Sequence, residues 1–254
     1  MNHRKIRKVF ISVLTSACLV YLGLCAYYYL FQTHVMYYPS KIVSATPKDI
    51  GFAYRDLTLT TSDGVAINAW YVPAPNARAT ILFSHGNAGN IGNRLETVRI
   101  LHSLGANVLL YDYRGFGKSE GSPGEEGTYR DAEAAWEYLV TKEAVSPHRI
   151  ILWGRSLGSA VAIELAMRKK AGALVVESGF TSVATVAKKV IPYLPVDLLV
   201  RHRYASIGKV SSITLPALFI HSPDDEVIPF AQGRELFEQS ASVPKQFLAI
   251  RGSH

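Results

Sequence analysis

The sequence predicts an α/β fold: a mostly parallel, eight-stranded sheet with helices on both faces, preceded by one apolar helix long enough to cross a membrane. Three observations carry this. Over residues 55–254, short β-branched or aromatic runs alternate with helical patterns, as parallel strands joined by crossover helices do. Several of those runs, such as Ile150-Ile151-Leu152-Trp153, are apolar without alternation, which suits strands buried on both faces. Residues 9–31 hold 23 positions without a charge.

Taken in order, the chain begins with a basic arm, residues 1–8. Arg4, Lys5, Arg7 and Lys8 all precede the first acid, Asp49. The net charge of +7 falls to +3 without those four, and no arginine-rich helix or aromatic RNA-binding motif is present, so nucleic acid is excluded as a partner. Residues 9–31 are read as a transmembrane anchor. Tyr27, Tyr28 and Tyr29 at its far end suit a membrane–water interface. A cleaved signal peptide has a shorter apolar region and a small-x-small exit site, which Leu24-Cys25-Ala26 matches poorly. A buried helix of the globular part is the other alternative. The basic arm should stay in the cytoplasm, which puts the rest on the opposite side, the periplasm if the source is bacterial. Both cysteines, Cys18 and Cys25, lie in the anchor, so the remainder cannot form a disulfide.

Residues 32–54, with Pro39, Ser40, Pro47 and Lys48, read as a linker hugging the domain. Strands are expected at 56–61, 65–72, 80–84, 107–111, 149–153, 173–177, 217–221 and 246–250, the first two joined by a Ser62-Asp63-Gly64 hairpin turn. Helical patterns fall near 93–104, 129–140, 156–169 and 231–239.

Candidate chemistry gathers after three strands, and ligands of such sheets collect at the carboxyl ends. Gly154-Arg155-Ser156-Leu157-Gly158 is the G-x-S-x-G pattern, between an apolar strand and a helix. A turn that tight would drive a β-carbon at either flanking position into neighbouring chain, and glycine removes the collision. Ser156 is the candidate nucleophile, at a helix N-terminus that favours negative charge. The run His85-Gly86-Asn87-Ala88-Gly89-Asn90 follows the third strand. The backbone N–H groups of Asn87 and Leu157 are the candidate oxyanion donors, with Ala88 as the nearest rival. His221-Ser222-Pro223-Asp224-Asp225-Glu226 follows the seventh strand. Asp225 is the candidate acid that holds the histidine tautomer, with Asp224 and Glu177 as rivals. No second histidine at ligand spacing supports a metal reading of His221 and the acids. His254 follows the last strand, and the order Ser156, Asp225, His254 is the serine–acid–histidine order of one hydrolase fold.

With SHGNAGN, YDYRGFGKSEGSP, GRSLGS, ESGFTS and HSPDDEVIP in this order, the sequence resembles the α/β-hydrolase superfamily from about Asp56 to His254. The anchor and the QTHVMYYPS run after it resemble the branch of membrane-tethered serine hydrolases that includes protein depalmitoylases and uncharacterised bacterial relatives. The resemblance implies Ser156 as nucleophile, Asp225 as acid, His254 as base and Asn87 and Leu157 as oxyanion donors, with no metal or organic cofactor. It implies a membrane-anchored serine hydrolase acting on ester or thioester bonds. A serine peptidase or amidase of the same fold, or a non-catalytic membrane-anchored binding protein, are the alternatives. The family continues past its histidine into a final helix. This chain stops at His254, where a terminal carboxylate would favour the imidazolium, so a longer natural chain is expected.

Residues 179–213 form a cap- or lid-like insertion in which Val190–Val196 and Leu198–Val200 are apolar and Lys188, Lys189, Arg201, Arg203 and Lys209 surround them. It is read either as an ordinary covering helix or as a lip that meets anionic lipid or an acyl chain. The expected partners are a small-molecule or lipid-like acyl substrate, an acylated protein among the candidates, and membrane lipid. Asp112, Arg114, Gly115 and Gly117 are expected to shape a tight loop beside the site.

Overall fold

The apolar N-terminal run forms one continuous helix. In the computed structural model, which describes residues 3–254, α1 spans His3–Leu30. Met1 and Asn2 of the basic arm lie outside the described residues, and Arg4, Lys5, Arg7 and Lys8 prolong α1. Its most apolar 18-residue window has a mean hydropathy of 2.2 and none of that window is buried, so by length and composition it can cross a bilayer.

The eight strands are β1 (Arg55–Thr60), β2 (Ala66–Val72), β3 (Ala79–Ser84), β4 (Ala106–Tyr111), β5 (Ile150–Arg155), β6 (Ala173–Glu177), β7 (Ala217–His221) and β8 (Lys245–Ala249). They form one sheet in the order β8-β7-β6-β5-β3-β4-β2-β1. Only the β1–β2 and β2–β4 pairs are antiparallel. The β1–β2 turn closes as its sequence requires: Gly64 sits at φ +82°, where a side chain would be strained, and the Thr61 hydroxyl donates to Asp63 Oδ1 at 2.6 Å.

Side-chain alternation splits the core in two. Leu82, Leu109, Leu152 and Leu174 face one side, where α3 (Glu125–Thr141) and α4 (Leu157–Arg168) cover them. Ile81, Phe83, Val108 and Leu110 face the other, under Val98 and Leu101 of α2 (Leu95–Ser103). α3 begins four residues before the apolar periodicity does. Gly124 is its N-cap, and Glu125 and Glu126 suit the positive end of the helix dipole.

The strand order places the chemistry. The chain leaves β3 for β4 on one side and returns to β5 on the other, so β3 is the switch point of the sheet, and ligands bind at such points. Ser84, the last residue of β3, pairs with Gly154 of β5, which brings the loop after β3 against the turn holding Ser156.

Segment 32–54 packs closely on the domain. Tyr38 and Pro39 pair in parallel with Ala88 and Gly89, Tyr37 is buried with its hydroxyl 2.8 Å from that of Tyr204, and Gln32 is buried against residues 199–202. The insertion at 179–213 contains α5 (Val183–Val190) and two single-turn helices, Val196–Leu199 and Ile207–Val210.

Candidate active site

Ser156 stands between β5 and α4 with φ +55° and ψ −120°. That is a strained conformation for a residue with a β-carbon, costing on the order of 1–3 kcal/mol, and it persists because its surroundings over-determine it. The Ser156 N–H donates to Glu177 O at 2.9 Å, and the Ser156 carbonyl accepts from the Ser159 N–H and hydroxyl at 2.9 and 2.6 Å. The flanking glycines are dictated by contact. A β-carbon on Gly154 would lie 2.0 Å from Gly158 O, and one on Gly158 would lie 1.9 Å from Ser84 O.

His254 connects the serine to an acid. Its Nε2 is 2.8 Å from Ser156 Oγ and its Nδ1 is 2.8 Å from Asp225 Oδ2. Since an ionised Asp225 only accepts, Nδ1 carries the proton and Nε2 is free to accept from the serine hydroxyl. The other oxygen of Asp225, Oδ1, accepts from the Val227 and Ile228 N–H groups at 2.9 and 2.7 Å. Burial works against the Asp225 carboxylate, but the bonds from His254 and from those backbone groups outweigh it and hold its pKa below the usual carboxylate range.

The two rival acids are engaged elsewhere. Glu177 Oε2 accepts from the Trp153 indole at 2.9 Å, and Asp224 pairs with Arg251 at 3.0 Å. Asp224 thereby helps hold the histidine loop, as do Glu226 Oε2, which accepts from the His254 N–H at 3.2 Å, the Ser222 hydroxyl, which donates to Gly252 O, and the Ile250 N–H, which donates to His221 O at 3.1 Å. None of these loop-to-loop bonds was legible in the sequence.

Behind Asp225 lies a buried His221. Its Nε2–H donates to Ile228 O at 3.0 Å, and its Nδ1 is buried without a partner. Burial pushes its pKa below the ordinary value, so the ring is neutral at neutral pH. Gly233 of α6 (Phe230–Gln239) is the price of that packing, since a β-carbon there would lie 2.2 Å from His221 Nδ1. Among the described residues no group of three His, Cys, Asp or Glu side chains is placed to hold a metal ion.

Leu157 opens α4, so its N–H belongs to the helix end that lacks intrahelical acceptors. Asn87 lines the cavity that also exposes Ser156 and His254, and a β-carbon on the neighbouring Gly86 would touch Ser156 Cβ at 3.6 Å. The Asn87 side chain turns away, with Nδ2 donating to Met36 O at 2.7 Å, and the Asn87 backbone carbonyl accepts from the Tyr38 N–H at 2.9 Å. Asn90, fully buried, donates from Nδ2 to Ser40 O and Ile42 O at 3.0 and 2.8 Å. Residues 36–42 thus brace the loop after β3, a role their Pro- and Ser-containing composition did not signal.

That cavity has a volume of about 200 Å³ and is lined by Phe83, Gly86, Asn87 and Ala88, by Arg94, Thr97 and Arg155, and by Ser156 and His254. No residue of 179–213 lines it. Arg94 and Thr97 were read from the sequence only as part of a helix start, and Arg155 only as a variable position of the pentapeptide. A larger surface hollow of about 550 Å³ near Thr33, Glu125 and His202 contains none of Ser156, Asp225 and His254.

Asp112 and Arg114 shape the neighbouring loop. Asp112 Oδ1 accepts from the Ile91 N–H at 2.9 Å, and a β-carbon on Gly117 would lie 2.1 Å from Asp112 Oδ2. Arg114 clamps Asp131 and Asp63 at 2.8–3.0 Å.

Comparison with known proteins agrees with this architecture. Residues 75–204 match the family model described as serine aminopeptidase, S33. An uncharacterized protein of Mycobacterium tuberculosis is 35% identical over 244 residues, covering 95% of this chain and 86% of that one. The alpha/beta hydrolase domain-containing protein WAV2 of Arabidopsis thaliana is 35% identical over 235 residues, covering 84% and 76%. The Pyrococcus furiosus esterase Pf2001 superposes with a TM-score of 0.72 at 23% identity, covering 85% of this chain and 90% of that one, a likeness of fold. On these matches the chain belongs to the α/β-hydrolases, in the family described as serine aminopeptidase, S33.

Proposed function

We propose that the protein is a membrane-anchored serine hydrolase that transfers an acyl group from an ester or thioester to water. The observation that carries the proposal is His254, within 2.8 Å of both the Ser156 hydroxyl and the Asp225 carboxylate. His254 takes the Ser156 proton as Oγ attacks the carbonyl carbon. The Asn87 and Leu157 N–H groups, with Ala88 as the neighbouring rival, stabilise the oxyanion, each donor worth about 2.7–4 kcal/mol to the transition state. His254 then protonates the leaving group, and water repeats the sequence on the acyl-enzyme. Asp225 keeps the imidazole in the tautomer that can accept.

Anchoring rests on α1 and on how its end meets the insertion. The Tyr21 hydroxyl donates to Tyr193 O at 3.2 Å, Arg201 stacks 5.0 Å over the Tyr29 ring, and Gln32 bonds Leu199 O, Arg201 N and His202 N at 2.8–3.1 Å. Tyr21 lies nine residues before Leu30, about 13 Å along a helix rising 1.5 Å per residue. With α1 across a bilayer, the turn at Tyr193 and Leu198 (64% and 80% exposed) meets the headgroup and upper acyl region rather than water.

The family's description favours a second reading, a peptidase or amidase with the same residues. Turnover of matched ester, thioester and amide substrates by the full chain in detergent separates the two. The proposal expects ester or thioester cleavage with an initial burst, abolished in Ser156→Ala. Cleavage of amides alone would replace it with the peptidase reading, and cleavage undiminished in Ser156→Ala would end both.

A further inference from the structure

The cavity beside Ser156 holds more positive charge than acyl transfer uses. Arg94 and Arg155 both line it. Arg155 has a partner of sorts, with its Nε 3.5 Å from Glu177 Oε1, an acid that also serves Trp153. Arg94 has none: among the described residues no carboxylate lies within ion-pair range of it. Its one hydrogen bond runs from Nη2 to the Ala88 carbonyl, and its Nε is buried with no acceptor. Burial, then the nearby charge of Arg155, pull its pKa below the usual arginine value, and the more distant Asp112 carboxylate offsets only part of this. A half-buried guanidinium with no ion-pair partner and a single carbonyl acceptor recovers only part of the hydration it loses. An anion entering the cavity supplies the missing ion pair, and guanidinium is the side chain best shaped to meet an oxyanion group.

The cavity has room for such a group beside Ser156. About 200 Å³ is room for a small polar group and the few atoms that carry it. That suits a short arm of a few atoms ending in an oxyanion group. Phe83, Gly86 and Ala88 supply the apolar wall for the arm.

We propose that Arg94, assisted by Arg155, forms a subsite for a carboxylate or phosphate borne a few bonds from the scissile carbonyl, so that the substrates are esters with an anionic group close to the reacting carbon; this rests on the hydrolase reading above. The competing account of Arg94 is a plain brace on the loop after β3 through the Ala88 carbonyl. A brace would act on every ester alike, whereas a subsite discriminates by charge.

The full chain in detergent is assayed on two matched pairs: 4-nitrophenyl butyrate against mono(4-nitrophenyl) succinate, and glycerol monobutyrate against butyryl glycerol 3-phosphate. The wild type is expected to favour the charged member of one pair by about tenfold or more in kcat/KM, the pair identifying carboxylate or phosphate as the ligand. Arg94→Gln should cut that ratio by about tenfold, chiefly through KM, and Arg94→Lys should restore part of it. Rising salt should shrink the ratio. Turnover without charge preference in either pair, or an Arg94→Gln loss equal on charged and neutral members, overturns the subsite. Binding of succinate and of inorganic phosphate to Ser156→Ala by calorimetry keeps the two proposals apart. Binding weakened by Arg94→Gln without turnover of any ester by the wild type upholds the subsite and rejects the hydrolase. Absence of binding, together with equal turnover of charged and neutral esters, rejects the subsite alone.

Discussion

Replacing Gly158 by alanine tests how the fold sets Ser156, the proposed nucleophile. The new β-carbon would stand 1.9 Å from Ser84 O, 2.4 Å from Ser84 C and 2.7 Å from His85 O, all backbone atoms that cannot rotate aside. Real β-carbons keep at least 3.0 Å from such neighbours, so α4 must retreat by 1.1 Å or more (3.0 less 1.9). Ser156 caps that helix and moves with it. A retreat of that minimum size directed away from His254 would lengthen its 2.8 Å contact to about 3.9 Å (2.8 plus 1.1), beyond hydrogen-bonding range. Overpacking of this kind costs about 1–3 kcal/mol of stability, and a misplacement of about 1 Å costs about a hundredfold in rate. Urea unfolding in detergent reads the first, and ester turnover of the folded variant reads the second. Gly208→Ala is the control: nothing lies within 4 Å of its added β-carbon, so neither quantity should fall. A Gly158→Ala protein within 0.5 kcal/mol and threefold of wild type, figures of the order expected for an innocuous surface change, would refute the reasoning.

Three further outcomes are expected. Asn90→Ala leaves Ser40 O, Ile42 O and the Gly92 N–H without their side-chain partner, so stability should drop by about 2–4 kcal/mol, at about 1 kcal/mol for each hydrogen bond, with slower turnover as the loop after β3 loosens; denaturation and kinetics report it. His221 has a folded-state pKa below its unfolded value near 6.5, so the unfolded chain binds more protons and stability is lost as pH falls below about 6.5, while Asp225, with a depressed pKa, adds a second loss in the carboxylate range. His221→Phe should be less stable at pH 8 yet flatter between pH 6.5 and 5, read by urea midpoints across that range. Leu198→Asp, at an 80% exposed position, should leave detergent stability within about 0.5 kcal/mol while reducing activity on long-chain esters in vesicles more than on short-chain ones; equal losses on both would remove the acyl-side role of the insertion.

Much of this architecture was readable residue by residue because its determinants are local. Each of the eight strands of the sheet lies within a residue or two of its expected bounds, since apolar runs bounded by Gly, Asp and Asn leave little freedom. Gly154 and Gly158 announced the close approach that the contacts to Gly158 O and Ser84 O display. What stayed hidden depends on contacts distant in sequence. Tyr38 and Pro39 carry no strand pattern, and they pair with Ala88 and Gly89 only because the sheet brings that loop to them. His221 looked like a strand end and is a neutral buried support behind Asp225, a property set by Ile228 O and Gly233. Asp224 and Glu226 read as rivals or bystanders to Asp225, and they instead fasten Arg251 and the His254 backbone. Arg94 shows its want of an ion-pair partner only once its surroundings are seen.

Labelling with a fluorophosphonate, followed by peptide mass spectrometry, tests the central claim most directly, because the reagent reacts with a serine only where a neighbouring base makes it nucleophilic. The account predicts one adduct, on the peptide carrying Ser156, lost in Ser156→Ala and slowed by at least about a thousandfold in His254→Ala. Absence of labelling in the wild type, or an adduct that persists in Ser156→Ala, would contradict it.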